Sequence, residues 1–245
     1  MDRLNLNDRE YQPFLVTLTI GTPYIPPKVA PTLDGLLWGA AGLESPDCED
    51  IAERIPLKKT DGVFHGSRMM CDPLFPERPV SFFQSINNER REDDLPEFWM
   101  DARAYKGSSV DVSKLRNGDP GRGTFSVKMD GYTPFSRGSS WKVGFYGCGD
   151  IARVESLLRT PPGIGRKAAR GYGSIVADGV DVTPVDQDWS LMRDGSPMRP
   201  IPEKLWRDLG GLPLPLKMAR AEMCAGHPDD HEVLCVTPAG GQLSW

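Results

Sequence analysis

The chain has 245 residues, of which 39% are hydrophobic, and this composition supports a folded core in one large domain or two small ones. The formal net charge of −5 excludes a generally basic polyanion-binding protein, so any contact with nucleic acid must come from a local patch. No apolar run approaches the roughly twenty residues of a membrane span, the first residues are too polar for a signal peptide, and we expect a cytoplasmic protein with no membrane contact.

The first predicted elements are a strand and a helix. Hydrophobic residues alternate with polar ones from Phe14 to Ile20, which is the period of a half-buried strand. After a proline-rich turn, hydrophobic residues from Leu33 to Leu43 recur at helical spacing. From about residue 44 to 123, short β-like pieces are broken by prolines and by a charged run, and this pattern predicts an insertion.

The next elements surround a second helix. The alternating segments 124–130 and 139–147 predict two strands that pair with each other. Asp150 suits the N-cap of a helix that must stop before Pro161 and Pro162, and a strand is predicted beyond it over 172–182. From residue 184 the chain is proline-rich, which predicts an irregular extension that packs on the core.

The order of these elements predicts the fold. Strand, helix, strands, helix and strand follow each other as in the split βαβ or ferredoxin-like arrangement. We therefore expect an α+β protein with a ferredoxin-like, RRM-like domain over residues 1–183, the insertion around 44–123 within it, and the extension over 184–245. Because this topology hosts many unrelated activities, it does not by itself indicate a function.

The most distinctive motif is GIGRKAARGYG, the glycine loop from Gly163 to Gly173. Its glycines can adopt positive φ and bring main-chain N–H groups close to a ligand, while its cations supply charge, so the composition suits a phosphate backbone. The order helix, loop, strand fits neither a P-loop nor the GxGxxG fingerprint. The alternative is a connection whose basic residues face water. The candidate contacts are Gly163, Gly165, Arg166, Lys167, Arg170, Gly171, Tyr172 and Gly173.

The surroundings of the loop carry a family resemblance. Residues 141–175, WKVGFYGCGDIARVESLLRTPPGIGRKAARGYGSI, resemble the signature of the CRISPR-associated RAMP superfamily, in which an aromatic strand leads through a helix into a basic glycine-rich loop. The segments LDGLLWGAAG at 33–42 and IPLKKTDGVFHGSRM at 55–69 look like the amino-terminal half of the smaller RAMP subunits. Within the superfamily the chain is most similar to the Cas-five-like subunit of type IV effector complexes.

The resemblance implies a noncatalytic RNA-binding subunit, without a cofactor, that grips the 5′ handle of the CRISPR RNA. It also implies contacts with a Cas-seven-type backbone subunit, with a large Cas-eight-like subunit and with target DNA near the protospacer-adjacent motif. The glycine loop and Arg68 are then the expected RNA contacts. Tyr172, Phe145 and Tyr146 are candidates for stacking on handle bases, although such aromatics more often lie in a core.

Two other functions remain open at the level of sequence. Some RAMP proteins cut CRISPR RNA precursors without metal, which needs a general base near the 2′-OH and a cation near the phosphate. His65 with Arg68 or Lys59 is the best available set, and the alternative is a structural histidine. The second possibility is a structural subunit whose glycine loop contacts only another protein subunit.

A cluster of metal-ligand residue types lies near the end of the chain. Cys224, His227, His231 and Cys235 are all zinc ligand types, but their spacing matches no standard zinc motif. A turn followed by a strand with a buried cysteine is the alternative that we favour, and we expect no bound metal there. Five cysteines, an odd number, also argue against a disulfide framework.

Overall fold

The computed structural model describes residues 11–25, 27, 30–46, 50–71, 77–87, 122–132, 141–166, 168, 171–221 and 232–238. These residues form a mixed α and β fold, and none of their helices has the length and apolar character needed to cross a membrane. The helices are α1 Leu33–Glu44, α2 Ile151–Leu158 and α3 Glu203–Asp208. The strands are β1 Gln12–Ile20, β2 Lys59–Thr60, β3 Val63–Phe64, β4 Met70–Cys71, β5 Glu77–Asn87, β6 Arg122–Tyr132, β7 Trp141–Gly149, β8 Ile175–Pro184, β9 Met192–Arg193, β10 Ser196–Pro197, β11 Ile201–Pro202, β12 Leu216–Ala219 and β13 Val233–Val236.

A four-stranded antiparallel sheet in the order β4-β7-β1-β8 forms the centre of the fold. Every second residue of β1, from Phe14 to Ile20, is fully buried, so the alternation in the sequence marks the face that packs against helices. Leu37 of α1 and Leu157 of α2 belong to the same buried cluster. The first predicted strand and both predicted helices are confirmed.

Helix α2 begins and ends where the sequence predicts. The carboxylate of Asp150 accepts a hydrogen bond from the backbone N–H of Arg153 at 3.0 Å, which satisfies one of the free donors at the helix start. The guanidinium of Arg153 also binds Glu44 at the end of α1, and this hydrogen bond lowers the pKa of the Glu44 carboxyl. This ion pair thus joins α1 to α2, the helix that precedes the glycine loop.

Residues 55–71 run alongside β7, although they fall in the range predicted as an insertion. Isolated bridges pair Leu57 with Gly149 and Gly66 with Gly147, and β4 then pairs with β7. The backbone N–H of Ser67 donates to the carbonyl of Tyr146 at 2.8 Å. Part of this range therefore extends the central sheet.

The predicted pairing of the strands at 124–130 and 139–147 is wrong. Strand β6 pairs instead with β5, from Glu77 opposite Tyr132 to Asn87 opposite Arg122. Strand β7 has β1 on one side and β4 on the other, so no edge of it is left for β6. Alternation predicts that a segment is a strand and which face it buries, but it does not identify the partner strand.

The described part of the extension has a small core of its own. Strands β11, β13 and β12 form a three-stranded sheet beside α3. Trp206 is buried there, and its indole N–H donates to the carbonyl of Leu212 at 2.6 Å. The same cluster contains Val63 of β3 and Cys235, whose strand β13 confirms the strand predicted near the end of the chain.

An ion pair joins this extension to α1. Arg199 is 1% exposed, and its Nη1 lies 2.9 Å from Oδ1 of Asp34, which is also buried. The guanidinium donates further hydrogen bonds to the carbonyls of Phe64, Gly66 and Ala221. Because buried charges are tolerated only when paired and hydrogen-bonded, this pair fixes the extension against α1.

Candidate nucleic-acid loop and histidine cluster

The glycine loop is fastened to residues 21–25, the segment that follows β1. The N–H of Gly173 donates to the carbonyl of Pro23 at 2.8 Å, and the N–H of Arg166 donates to that of Ile25 at 2.9 Å. Across the loop, the N–H of Ile164 donates to the carbonyl of Gly173 at 2.9 Å. These main-chain bonds hold both halves of the loop against one segment.

The same bonds change the role expected of the loop amides. The N–H groups of Ile164, Arg166, Gly171 and Gly173 all donate to carbonyls within the protein, that of Gly171 to Ala168 at 2.9 Å. These four donors do not form the open cradle that the sequence predicts. Phosphate contacts at this loop therefore depend mainly on its side chains.

Three of the loop glycines are required by close packing. A Cβ at Gly163 would overlap the carbonyl oxygen of Gly173. Gly165 has φ +83°, and a Cβ there would overlap the Tyr24 ring. Gly173 has φ +62°, and a Cβ there would overlap the carbonyl oxygen of Ile164. Gly171 has φ +84° but open space around it, so only its backbone conformation favours glycine. The glycine content thus has a structural cause, in the attachment of the loop to the fold.

The side chains proposed to contact RNA lie in different places. Arg166 is exposed and Tyr172 is half-buried, whereas Lys167 and Arg170 lie outside the described residues. Arg68 is half-buried, and burial lowers the pKa of its guanidinium. It precedes β4, whereas the loop leads into β8, and these two strands form opposite edges of the central sheet.

The other two aromatic candidates are part of the core. Phe145 is fully buried in the cluster beneath the helices. Tyr146 is buried on the other face of the sheet, where its ring meets that of Trp189 edge to face at a centroid distance of 5.1 Å. The guanidinium of Arg193 lies 4.7 Å from the centroid of the Trp189 ring. Of these three aromatic candidates, Tyr172 is the one that is not fully buried.

A histidine cluster lies on this second face, formed by Thr60, His65, Cys148, Asp188 and Ser190. His65 is 6% exposed, and its Nδ1 lies 2.9 Å from Oδ2 of Asp188 and 3.2 Å from Oγ of Ser190. Its Nε2 lies 2.9 Å from Oγ1 of Thr60. Both ring nitrogens are therefore occupied by protein partners.

The pKa values of Asp188 and Cys148 are both shifted far from their usual ranges. Burial alone would raise the pKa of Asp188, but hydrogen bonds from His65 and Ser190 outweigh it and lower the pKa to about 2. The ionised carboxylate can only accept, so Nδ1 of His65 carries a proton. Burial, helped by the charge of Asp188, raises the pKa of the Cys148 thiol to about 11. The thiol is protonated at neutral pH and lies beside a carboxylate.

His65 has hydrogen-bond partners outside the predicted catalytic set, namely Thr60, Asp188 and Ser190. Lys59, a member of that set, places its Nζ 4.8 Å from the centroid of the Phe64 ring. Sequence reasoning missed Asp188 and Ser190, because they are 123 and 125 residues away from their histidine partner. No local motif marks them.

The predicted zinc cluster lies largely outside the described residues. This applies to Cys224, His227 and His231. Cys235 is buried in β13, and its Sγ lies 3.7 Å from the carbonyl oxygen of Ala219 on the neighbouring strand β12. The described member of the set thus packs inside a small sheet.

No family model matches the chain, and no curated protein matches it. A functional conclusion therefore depends on the residues and geometry described above.

Proposed function

We propose that the chain is a noncatalytic RNA-binding subunit of RAMP type, which grips the 5′ handle of the CRISPR RNA in a type IV effector complex through the glycine loop. The main support for this proposal is the way in which the loop is attached to the fold. The loop is a basic segment anchored by main-chain hydrogen bonds to residues 21–25, with exposed Arg166 on it. A rigid support of this kind suits phosphate contacts, which position an RNA more than they read its bases.

The connectivity of the central sheet supports a ferredoxin-like core. Along the chain the elements run β1, α1, β4, β7, α2 and β8, and across the sheet the strands run β4-β7-β1-β8. This antiparallel order, with two helices on one face, is the order that we would expect of a ferredoxin-like core. The paired strands β5 and β6 fall between β4 and β7 along the chain, as an insertion into that core would.

A cleft lies beside the glycine loop, lined by residues outside the loop. Its volume is about 280 Å³, and its walls are the end of α2 and the first half of β8. Arg159 and Asp178 both line this cleft. The protein carries a net charge of −5, so the basic residues of the loop are the electrostatic basis for attracting an RNA backbone.

The proposed partners follow from the resemblance to Cas-five-like subunits. They are the CRISPR RNA handle, a Cas-seven-type backbone subunit, a large Cas-eight-like subunit and target DNA near the protospacer-adjacent motif, in the cytoplasm. The endonuclease alternative has less support, because a general base must reach the 2′-OH that it deprotonates. His65 is 6% exposed, and both of its ring nitrogens have protein partners.

The test is binding of labelled CRISPR repeat RNA to the full chain, without metal, over a range of salt concentrations. We expect binding without cleavage. Changing Arg166, Lys167 and Arg170 together to Ala should weaken binding and flatten the dependence of log affinity on log salt by about 2, since single-stranded RNA releases roughly 0.7 counterions per phosphate contact.

The matched control removes the same charge elsewhere. Lys204, Arg207 and Lys217 are exposed residues of the extension, and their triple change to Ala should leave the salt dependence unchanged. An equal effect of both triple variants would overturn the proposed role of the loop. Specific cleavage that is lost in His65→Ala would favour the endonuclease, and neither binding nor cleavage would favour a structural subunit.

A further inference from the structure

The histidine cluster brings together three residue types that bind transition metals. His65 follows β3, Cys148 lies in β7, and Asp188 follows β8. One ligand atom from each, a ring nitrogen, a thiol sulfur and a carboxylate oxygen, lies within 4.8 Å of the other two. The segments that supply them are distant along the chain, so the fold itself creates this proximity.

We propose that His65, Cys148 and Asp188 bind a single zinc ion, with the fourth position open to water or another ligand. A mixed nitrogen, sulfur and oxygen set is typical of zinc, whereas magnesium and calcium select oxygen alone. Metal bonds of about 2.0–2.3 Å place tetrahedral ligand atoms roughly 3.3–3.8 Å apart. Side-chain movements of about 1 Å therefore suffice to close the set around an ion.

The neighbours of the three ligands already orient them for such an ion. Thr60 Oγ1 lies 2.9 Å from Nε2 of His65 and can accept its proton, which leaves Nδ1 for the metal. Ser190 donates from its backbone N–H and its hydroxyl to Oδ1 of Asp188, so Oδ2 stays on the side of His65. When the ion binds, the His65 proton moves from Nδ1 to Nε2, where Thr60 Oγ1 accepts it, and the Cys148 thiol releases its proton to solvent.

Access and position suggest what the ion does. The Asp188 side chain is 30% exposed, whereas His65 and Cys148 are buried, so an ion enters past the carboxylate. Once bound, it crosslinks the segment after β8 to the central sheet. Because the ion binds the folded chain through residues from three segments, it stabilises the folded state.

The experiment uses the full chain, stripped with a chelator and titrated with zinc and with cobalt. We expect one equivalent of zinc to raise the melting temperature, and cobalt to give the ultraviolet charge-transfer band of a thiolate ligand. Cys148→Ser should abolish that band, and Asp188→Asn should weaken zinc binding at least tenfold. Asp188 is the more exposed ligand, so its variant is the one expected to remain folded.

Two controls make the assignment specific. Cys71 is also a buried thiol, whose pKa burial raises to about 11, and it lies outside the cluster, so Cys71→Ser should keep the cobalt band. Cys224→Ser tests the cluster near the end of the chain. A band that survives Cys148→Ser but not Cys224→Ser would overturn the proposal, as would the absence of zinc binding by the unmodified chain.

Discussion

The glycine loop and the histidine cluster hold their polar groups in place by opposite means. The loop is fixed by main-chain hydrogen bonds to residues 21–25 and to itself, and its charged side chain Arg166 is left outside. The cluster is fixed by side chains, His65, Asp188 and Ser190, that bond directly to one another. The structure of the loop therefore depends on its backbone and its glycines, whereas that of the cluster depends on its side chains.

The ion pair of Asp34 and Arg199 is also held by side chains, and breaking it should cause the largest loss in the free energy of unfolding. Arg199→Met leaves the Asp34 carboxylate buried without its partner and three carbonyls without their donor. We expect the free energy of unfolding, measured with denaturant, to fall by about 3–5 kcal/mol. The control Arg207→Met removes an exposed pair with Glu203 and should cost at most about 0.5 kcal/mol. Equal losses in the two variants would contradict the role given to burial.

Two glycines of the loop test its main-chain attachment. Gly173→Ala combines positive φ with overlap against the Ile164 carbonyl, and we expect a loss of about 3 kcal/mol in the free energy of unfolding. Gly171→Ala meets no atom within 4 Å and should lose only about 1–2 kcal/mol of conformational energy. Denaturant titration of both variants measures the difference. A larger loss in the free energy of unfolding for Gly171→Ala than for Gly173→Ala would contradict the proposed main-chain attachment of the loop.

The N-cap of α2 is an intermediate case, in which a side chain supports the main chain. Asp150→Ala removes the acceptor of the Arg153 N–H, and the free energy of unfolding should fall by about 1 kcal/mol. Asp150→Ser keeps a capping oxygen and should restore most of the loss. Thermal denaturation compares the three proteins, and a serine variant no better than alanine would argue against capping.

The smallest effect is expected at the stack of Arg193 on Trp189. Arg193→Lys retains the charge but loses the planar guanidinium over the ring, so the free energy of unfolding should fall by about 0.5 kcal/mol. The other substitution of interest is Arg193→Met, which removes the charge and should cost slightly more. Near-ultraviolet circular dichroism, together with denaturant titration, reports both the stack and the stability. An effect as large as that of Arg199→Met would remove the contrast between the half-buried Arg193 and the fully buried Arg199.

Local patterns in the sequence account for the regular elements. The alternation from Phe14 to Ile20 identifies β1, and Asp150 with the two later prolines delimits α2, because strand period and capping depend on neighbouring residues alone. The partner of β6 was not predictable in this way, since the pairing with β5 spans residues that no local pattern connects.

The same distinction between local and distant residues applies to the two candidate sites. The position of the glycine loop was predictable from its motif, but the direction of its amides was not, because their acceptors lie in the segment after β1. The partners of His65 were not predictable at all, since Asp188 is 123 residues away and no motif surrounds it. Metal-ligand residue types that are close in sequence, such as Cys224 and His227, are easier to notice, but closeness in sequence does not establish that their side chains bind one ion.

The ion pair between α1 and the extension also sets an order of events during synthesis. Asp34 and Arg199 are 165 residues apart. At usual rates of translation, α1 leaves the ribosome on the order of ten seconds or more before its arginine does. Until Arg199 emerges, the Asp34 carboxylate lacks its cation, so this end of α1 cannot complete its final contacts before then. Helix α1 is therefore among the first elements to be made, and it depends for this contact on one of the later segments of the chain.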